Sequence, residues 1–272
     1  MAPEGYGLPS PVVRLPRPLV RAVARAKPLV PASAWPLLTT MRSLAGAGPL
    51  LADPSFRRVL VLAAHPDDET TGCGGAMALL ADHGAVVDIA VATSGDATAG
   101  APFPPEETAR RREAESRRAA ELLGARPPRF LAHPDGALPD HVDALAADLR
   151  GLVADLAPEA IFLPWFLDGH PDHQAVYRAL RQAAVPDDVE LWGYETWTPL
   201  TANRHVDITR VFARKEAALA AHETAHLGFD VSSILGLNRY RSAYATVGAG
   251  YVEGYLVAPA AEWFALADRF GS

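Results

Sequence analysis

Two short runs of metal-type side chains stand apart from the rest of the chain. One is His65-Pro66-Asp67-Asp68-Glu69; the other, far downstream, is Asp168-Gly169-His170-Pro171-Asp172-His173. Two imidazoles and one carboxylate around a divalent cation, with a position left open, suit hydrolytic zinc or non-haem iron. Zinc would bring the pKa of its water to about 7. Asp67 and Asp68 are neighbours, so one can ligate while the other takes a proton from the water, worth about 10²–10⁴-fold. An imidazole outside the metal shell can stabilise an oxyanion. These parts make a metal-assisted hydrolase. Each run alone also reads as a helix cap, because Asp accepts bonds from the free N–H groups at a helix start. Their matching positions after two strands favour a site.

Those positions depend on the elements around them. Arg58–Ala64 is a continuous apolar run, as in a strand buried on both faces. A glycine-containing stretch (Gly72, Gly74, Gly75) then opens a helix over Ala76–His83. Val86–Thr93 predicts a second strand, 97–105 a loop, and Glu106–Leu123 a helix ended by Gly124. A strand near Arg129–Ala132, a helix around His141–Leu156, a strand at Ala160–Phe166 and a helix to Ala184 follow. The alternation predicts an α/β, Rossmann-like layered fold with a mostly parallel central sheet, helices on both faces and an irregular C-terminal part from Glu190. Ligands of such sheets gather beyond the carboxyl ends of the strands.

Composition sets the outer limits. The chain has 272 residues, 49% hydrophobic and 21% charged, enough apolar surface for one large domain. Its net charge of −7 disfavours nucleic acid as a partner. The lone cysteine, Cys73, excludes an intramolecular disulfide or a thiolate zinc cluster and reads as a small buried residue. No apolar window is long enough to span a membrane. Residues 1–56 read as a basic, partly helical extension and residues 57–272 as the catalytic domain. Arg17, Arg21 and Arg25 share one helical face, which would pack on the domain or a partner subunit, or touch an anionic membrane. The absence of a signal-peptide pattern predicts a cytoplasmic protein, and homo-oligomerisation is left open.

The two runs, together with Thr93-Ser94-Gly95, the helix with Arg112 and Glu115, Asp135-Gly136, Tyr194–Leu200, Lys215–His222 and Leu237–Arg241, resemble the PIG-L/LmbE-like N-acetylglucosamine deacetylases. The resemblance covers roughly residues 57–257. It implies Zn2+, with Fe2+ as the alternative, held by His65, Asp68 and His173. It implies Asp67 as general base, His170 as oxyanion stabiliser and proton donor to the amine, and Asp172 as the group that orients His170. Arg112 and Asp135 match positions that hold sugar hydroxyls. The implied reaction removes an N-acetyl or N-acyl group from a glucosamine-type sugar in a small-molecule glycoside, a bacterial natural-product or thiol biosynthetic intermediate.

Other readings compete. A GlcNAc-phosphoinositol-like glycolipid at a membrane is one alternative substrate. A two-His, one-carboxylate iron oxygenase is another class, but it requires a jelly roll. A sugar-binding module without chemistry is the third. Trp192, Tyr194 and Trp197 would either line an aglycone pocket or pack in the core. His222 and His226 are four apart, the spacing of a shared metal; His222 is otherwise expected at the pocket rim. His133 is read as a non-ligand.

Overall fold

A computed structural model describes residues 54–227, 230–246 and 248–270. The predicted basic helix lies outside these residues, as does nearly all of the extension to residue 56. The strands are β1 (Arg58–Ala63), β2 (Val86–Thr93), β3 (Arg129–His133), β4 (Ala160–Pro164), β5 (Glu190–Tyr194), β6 (Arg204–Asp207) and β7 (Val252–Pro259). The longer helices are α1 (Asp68–Asp82), α2 (Pro105–Leu123), α3 (Val142–Leu156), α4 (Pro171–Gln182), α5 (Phe212–Ala220), α6 (Ser232–Ala245) and α7 (Ala260–Arg269).

One seven-stranded sheet has the order β3-β2-β1-β4-β5-β7-β6. Strands β1 to β5 are parallel, and β7 is antiparallel to both β5 and β6. The buried strands expose opposite sets of side chains to two layers, as the period of two requires. Leu60 and Leu62 join α3, α4 and α7 in one core; Val59, Val61 and Ala63 join α1, α2 and α5 in the other. This is the expected layered α/β architecture, and it leaves no place for the oxygenase jelly roll. Local signals set the helix ends. Pro105 starts α2 and Gly124, at φ 80°, stops it; Pro171 opens α4.

Two expectations need correction. The C-terminal part is regular: it supplies β5, β6 and β7, three helices and the antiparallel edge of the sheet. The glycine stretch lies inside α1, which begins at Asp68. A Cβ on Gly72 would stand 2.1 Å from Tyr194 Cδ2, and one on Gly75 2.4 Å from Ile208 Cγ2. These glycines allow close approach of helix to sheet.

Helix α1 is broken at Cys73, whose backbone is non-helical (φ −141°, ψ 20°). The break frees backbone groups that must find partners elsewhere. The Glu253 carboxylate accepts the N–H of Gly75 and of Ala76, each at 2.8 Å. Lys215 Nζ donates to Thr71 O at 2.8 Å and to Glu253 Oε1 at 2.7 Å. Lys215 and Glu253 are 0% and 1% exposed. Replacing Lys215 by Met leaves Glu253 buried without its cation. The expected cost is about 3–5 kcal/mol, the penalty for breaking a buried pair from one side. Denaturant unfolding measures it; an unchanged midpoint would show that the pair contributes nothing.

Candidate metal centre

Strands β1 and β4 pair directly, Val59 with Ala160 and Val61 with Phe162. The chain leaves β1 toward β2 and β3 on one side, and returns through β4 toward β5 on the other. The loops after β1 and β4 therefore open together at the topological switch point, where such sheets bind ligands. That places the two motifs face to face around a cavity of about 650 Å³.

His65, Asp68 and His173 come together there. Asp68 Oδ1 lies 3.2 Å from His173 Nε2, and Asp68 Oδ2 lies 3.5 Å from His65 Nδ1. The rings of His65 and His173 are 5.4 Å apart between centroids. Asp68 Oδ2 also accepts the N–H of Ala64 (3.1 Å) and of His65 (2.8 Å), so the turn itself aims the carboxylate. Burial opposes the charge on Asp68, but the His173 and His65 imidazoles overcome it and hold the carboxyl well below its usual range. Burial likewise opposes protonation of His173, yet Asp68 and Asp168 push it up to about 9. His65 is raised well above its ordinary value, against burial, by Asp135, Asp172 and Asp68. The cluster thus favours positive charge at its centre.

The donor set fits a metal. His173 Nδ1 faces Asp168 Oδ1 and Thr196 Oγ1, each at 2.9 Å, while Nε2 is buried without a hydrogen-bond partner. A carboxylate on one ring nitrogen and an orphaned second nitrogen beside another carboxylate is the arrangement of a metal-binding histidine. On His65 the division is similar: Nε2 lies 3.1 Å from both Asp135 Oδ1 and Asp172 Oδ2, and Nδ1 faces Asp68. Ligand atoms of His65, His170 and His173 fall within 4.8 Å of one another, as do those of His65, Asp135 and Asp172.

Asp67 sits beside this cluster in a strained turn. Its φ of 152° is one that residues with a side chain rarely adopt, a strain of about 1–3 kcal/mol. Arg112 Nη2 holds the turn by donating to Pro66 O (3.1 Å) and Asp67 Oδ1 (2.8 Å). Glu69 Oε2 accepts the Asp67 N–H at 3.1 Å. Burial raises the Asp67 carboxyl, Arg112 opposes, and Asp68 raises it further; the net shift is upward. The second oxygen, Oδ2, lies 3.6 Å from His226 Nε2.

His170 forms the opposite wall. The expected orienting role of Asp172 is carried out by its backbone: the Asp172 N–H donates to His170 Nδ1 at 3.2 Å. This makes Nε2 the proton-bearing nitrogen of the neutral ring. The Asp172 carboxylate turns instead to Gly136 N–H, Leu138 N–H and His65. Those N–H groups lie in the loop after β3 and need an acceptor, which is why the side chain points away from His170. Burial and the neighbouring His65 and His173 rings hold the His170 pKa down. Arg112 and Asp135, expected at sugar hydroxyls, both line the cavity but are held by protein partners. Arg112 Nη1 donates to Gly95 O and Thr98 Oγ1; Asp135 Oδ2 accepts the Ala97 N–H.

The model of the PIG-L family, described as GlcNAc-PI de-N-acetylase, matches residues 60–184. The probable N-acetyl-alpha-D-glucosaminyl L-malate deacetylase 2 of Bacillus cereus is 31% identical over 183 residues, spanning 62% of this chain and 83% of that protein. The chain belongs to the PIG-L family. The 1D-myo-inositol 2-acetamido-2-deoxy-alpha-D-glucopyranoside deacetylase of Kineococcus radiotolerans is 34% identical over 164 residues, 47% of this chain and 45% of that one. The chain therefore matches less than half the length of that relative. The fold is also that of N,N'-diacetylchitobiose deacetylase from Pyrococcus horikoshii, with a TM-score of 0.64 at 23% identity over 75% of this chain and 85% of that one.

In this PIG-L chain several site residues carried no role in the sequence reading. Asp168 braces His173 and also accepts the N–H of Trp197 and Thr198, tying the loop after β5 to the second motif. Its place at the head of the second motif was the available signal. Glu69, pushed up to about 8 by burial and by Asp67 and Asp68, accepts from Ser116 Oγ. His222 is not at the rim: it is 0% exposed, lies 3.0 Å from Thr70 Oγ1, and burial takes it down to about 3. Trp192 and Tyr194 are core residues, whereas Trp197 is 75% exposed. His133 lies 2.8 Å from Asp148.

Proposed function

We propose that the protein is a zinc-dependent hydrolase that removes the N-acetyl, or a related N-acyl, group from a glucosamine-type sugar in a small-molecule glycoside. One observation carries this reading: the orphaned Nε2 of His173 lies against the Asp68 carboxylate, which lines one cavity together with His65 and Asp67. The names of the inositol-linked and malate-linked relatives support the sugar and the bond. His65, Asp68 and His173 would hold the cation, which would supply Lewis-acid polarisation of the amide carbonyl and an acidified water.

The chain's own groups do the rest. Asp67 Oδ1 is fixed by Arg112, so Oδ2 is the oxygen free to take a proton from the attacking water. The elevated pKa of Asp67 brings it nearer to the working pH of a general base. His170 Nε2–H is the donor for the oxyanion that develops on the amide oxygen. The proton gathered at Asp67 or held on His170 passes to nitrogen, because an amide anion is a poor leaving group. Acetate and a free amine are the products.

The test is amine release from N-acetylglucosamine glycosides before and after chelation. Chelator is expected to abolish turnover, with Zn2+ or Fe2+ restoring it. Turnover that persists in metal-free protein would overturn the reading.

A further inference from the structure

We propose that the sugar's aglycone is an uncharged group with a flat apolar face, seated between Trp197 and the Ile234–Leu237 side of α6. The proposal rests on the sugar-deacetylase reading above and deepens it.

Trp197 is the first observation. Its ring is 75% exposed in a molecule that buries Trp192 and Trp263 almost completely. Exposed large aromatics beside a cavity mark binding surface more than packing. This one is also held in place. Its backbone N–H donates to Asp168 Oδ2 at 3.1 Å, the carboxylate that braces His173, and its ring lies 5.9 Å from that of His170. An indole carried on an anchored backbone binds flat partners with less ordering cost than one on a free loop.

Across the cavity, Ile234 and Leu237 are three apart on α6, hence on one helical face, and both are partly exposed and line the same space. Apolar and aromatic side chains thus line the same cavity as the reacting centre.

Charge is the second, independent observation. Among the described lining residues Arg112 is the one guanidinium, and it is 6% exposed with both terminal nitrogens donating to the protein. Asp67, Asp68, Asp135 and Glu195 line the same cavity. Arg241, which pairs with Glu195, also donates to Leu200 O. A malate or phosphate aglycone would find no free guanidinium in this lining to pair with, whereas a neutral aromatic group needs none.

The experiment compares the benzyl α-glycoside of N-acetylglucosamine with N-acetyl-alpha-D-glucosaminyl L-malate on the zinc-loaded enzyme at pH 8. Amine release gives kcat/KM, and calorimetry gives the affinity for the two corresponding free-amine products. The benzyl compound is expected to lead by about tenfold or more in both. Trp197→Ala is expected to shrink that lead by about threefold to tenfold, mainly through KM. Ile234→Arg is expected to improve the malate compound. Equal or better use of the malate compound by the unaltered enzyme would overturn the proposal while leaving deacetylation intact. A Trp197→Ala ratio identical to wild type would also overturn it. If no amine is released from either, the hydrolytic reading falls, and the calorimetric preference alone decides the aglycone: benzyl over malate supports the proposal, and no preference overturns it.

Discussion

Asp67→Asn is expected to keep its metal and lose about 10²–10⁴-fold in kcat, the usual contribution of a positioned base. The substitution is nearly isosteric, and Asn tolerates positive φ better than most residues, so the turn at φ 152° survives. The amide oxygen can still accept from Arg112 Nη2, which keeps its bond to Pro66 O while Nη1 keeps those to Gly95 O and the Thr98 hydroxyl. What disappears is the basic oxygen that faces His226. Metal content by elemental analysis and single-turnover amine release separate the two effects. A variant that hydrolyses at the wild-type rate would remove Asp67 from the role of base.

His173→Ala is expected to empty the site. The ring supplies an orphaned Nε2 beside Asp68, and its Nδ1 is held by Asp168 and Thr196. Losing it removes a ligand and leaves the Asp68 carboxylate without its strongest partner, since the His173 imidazole leads the influences that lower it. The residue is 0% exposed, so truncation also opens a small cavity beside α4. Circular dichroism monitors the fold while dialysis followed by elemental analysis reads the metal. Stoichiometric zinc in a folded His173→Ala protein would reject His173 as a ligand.

The parts of this molecule that follow local rules were legible in its sequence. Strands β4 and, after Arg58, β1 are unbroken apolar runs, and β2 is one interrupted by Asp88, because both of their faces are covered. The two motifs declared themselves because imidazole and carboxylate groups cluster after β1 and β4. Strands β6 and β7 were hidden: β6 has four residues, mostly half-buried, and β7 carries Gly254 and ends at Pro259. Helix α1 looked shorter because Gly72, Gly74 and Gly75 read as a loop; the Tyr194 and Ile208 side chains that require two of them come from distant strands and turns. The same limit applied within the site. The type of Asp172 announced a polar role, but its choice of His65 over His170 depends on the N–H groups of residues 136 and 138. His222 and His226 share a helical spacing, yet one packs on Thr70 and the other approaches Asp67. Such choices are made by tertiary neighbours that no local window contains.

The brace beneath α1 has a consequence for biosynthesis. Glu253 accepts from N–H groups 178 and 177 positions earlier in the chain. On a ribosome, both histidine motifs emerge well before the carboxylate that secures the broken helix behind the first of them. Contacts of such separation form late, after the entropy of closing the intervening chain has been overcome. The broken helix behind the first motif is therefore secured only when the strand carrying Glu253 arrives, and a nascent chain that already displays both motifs still waits for that brace.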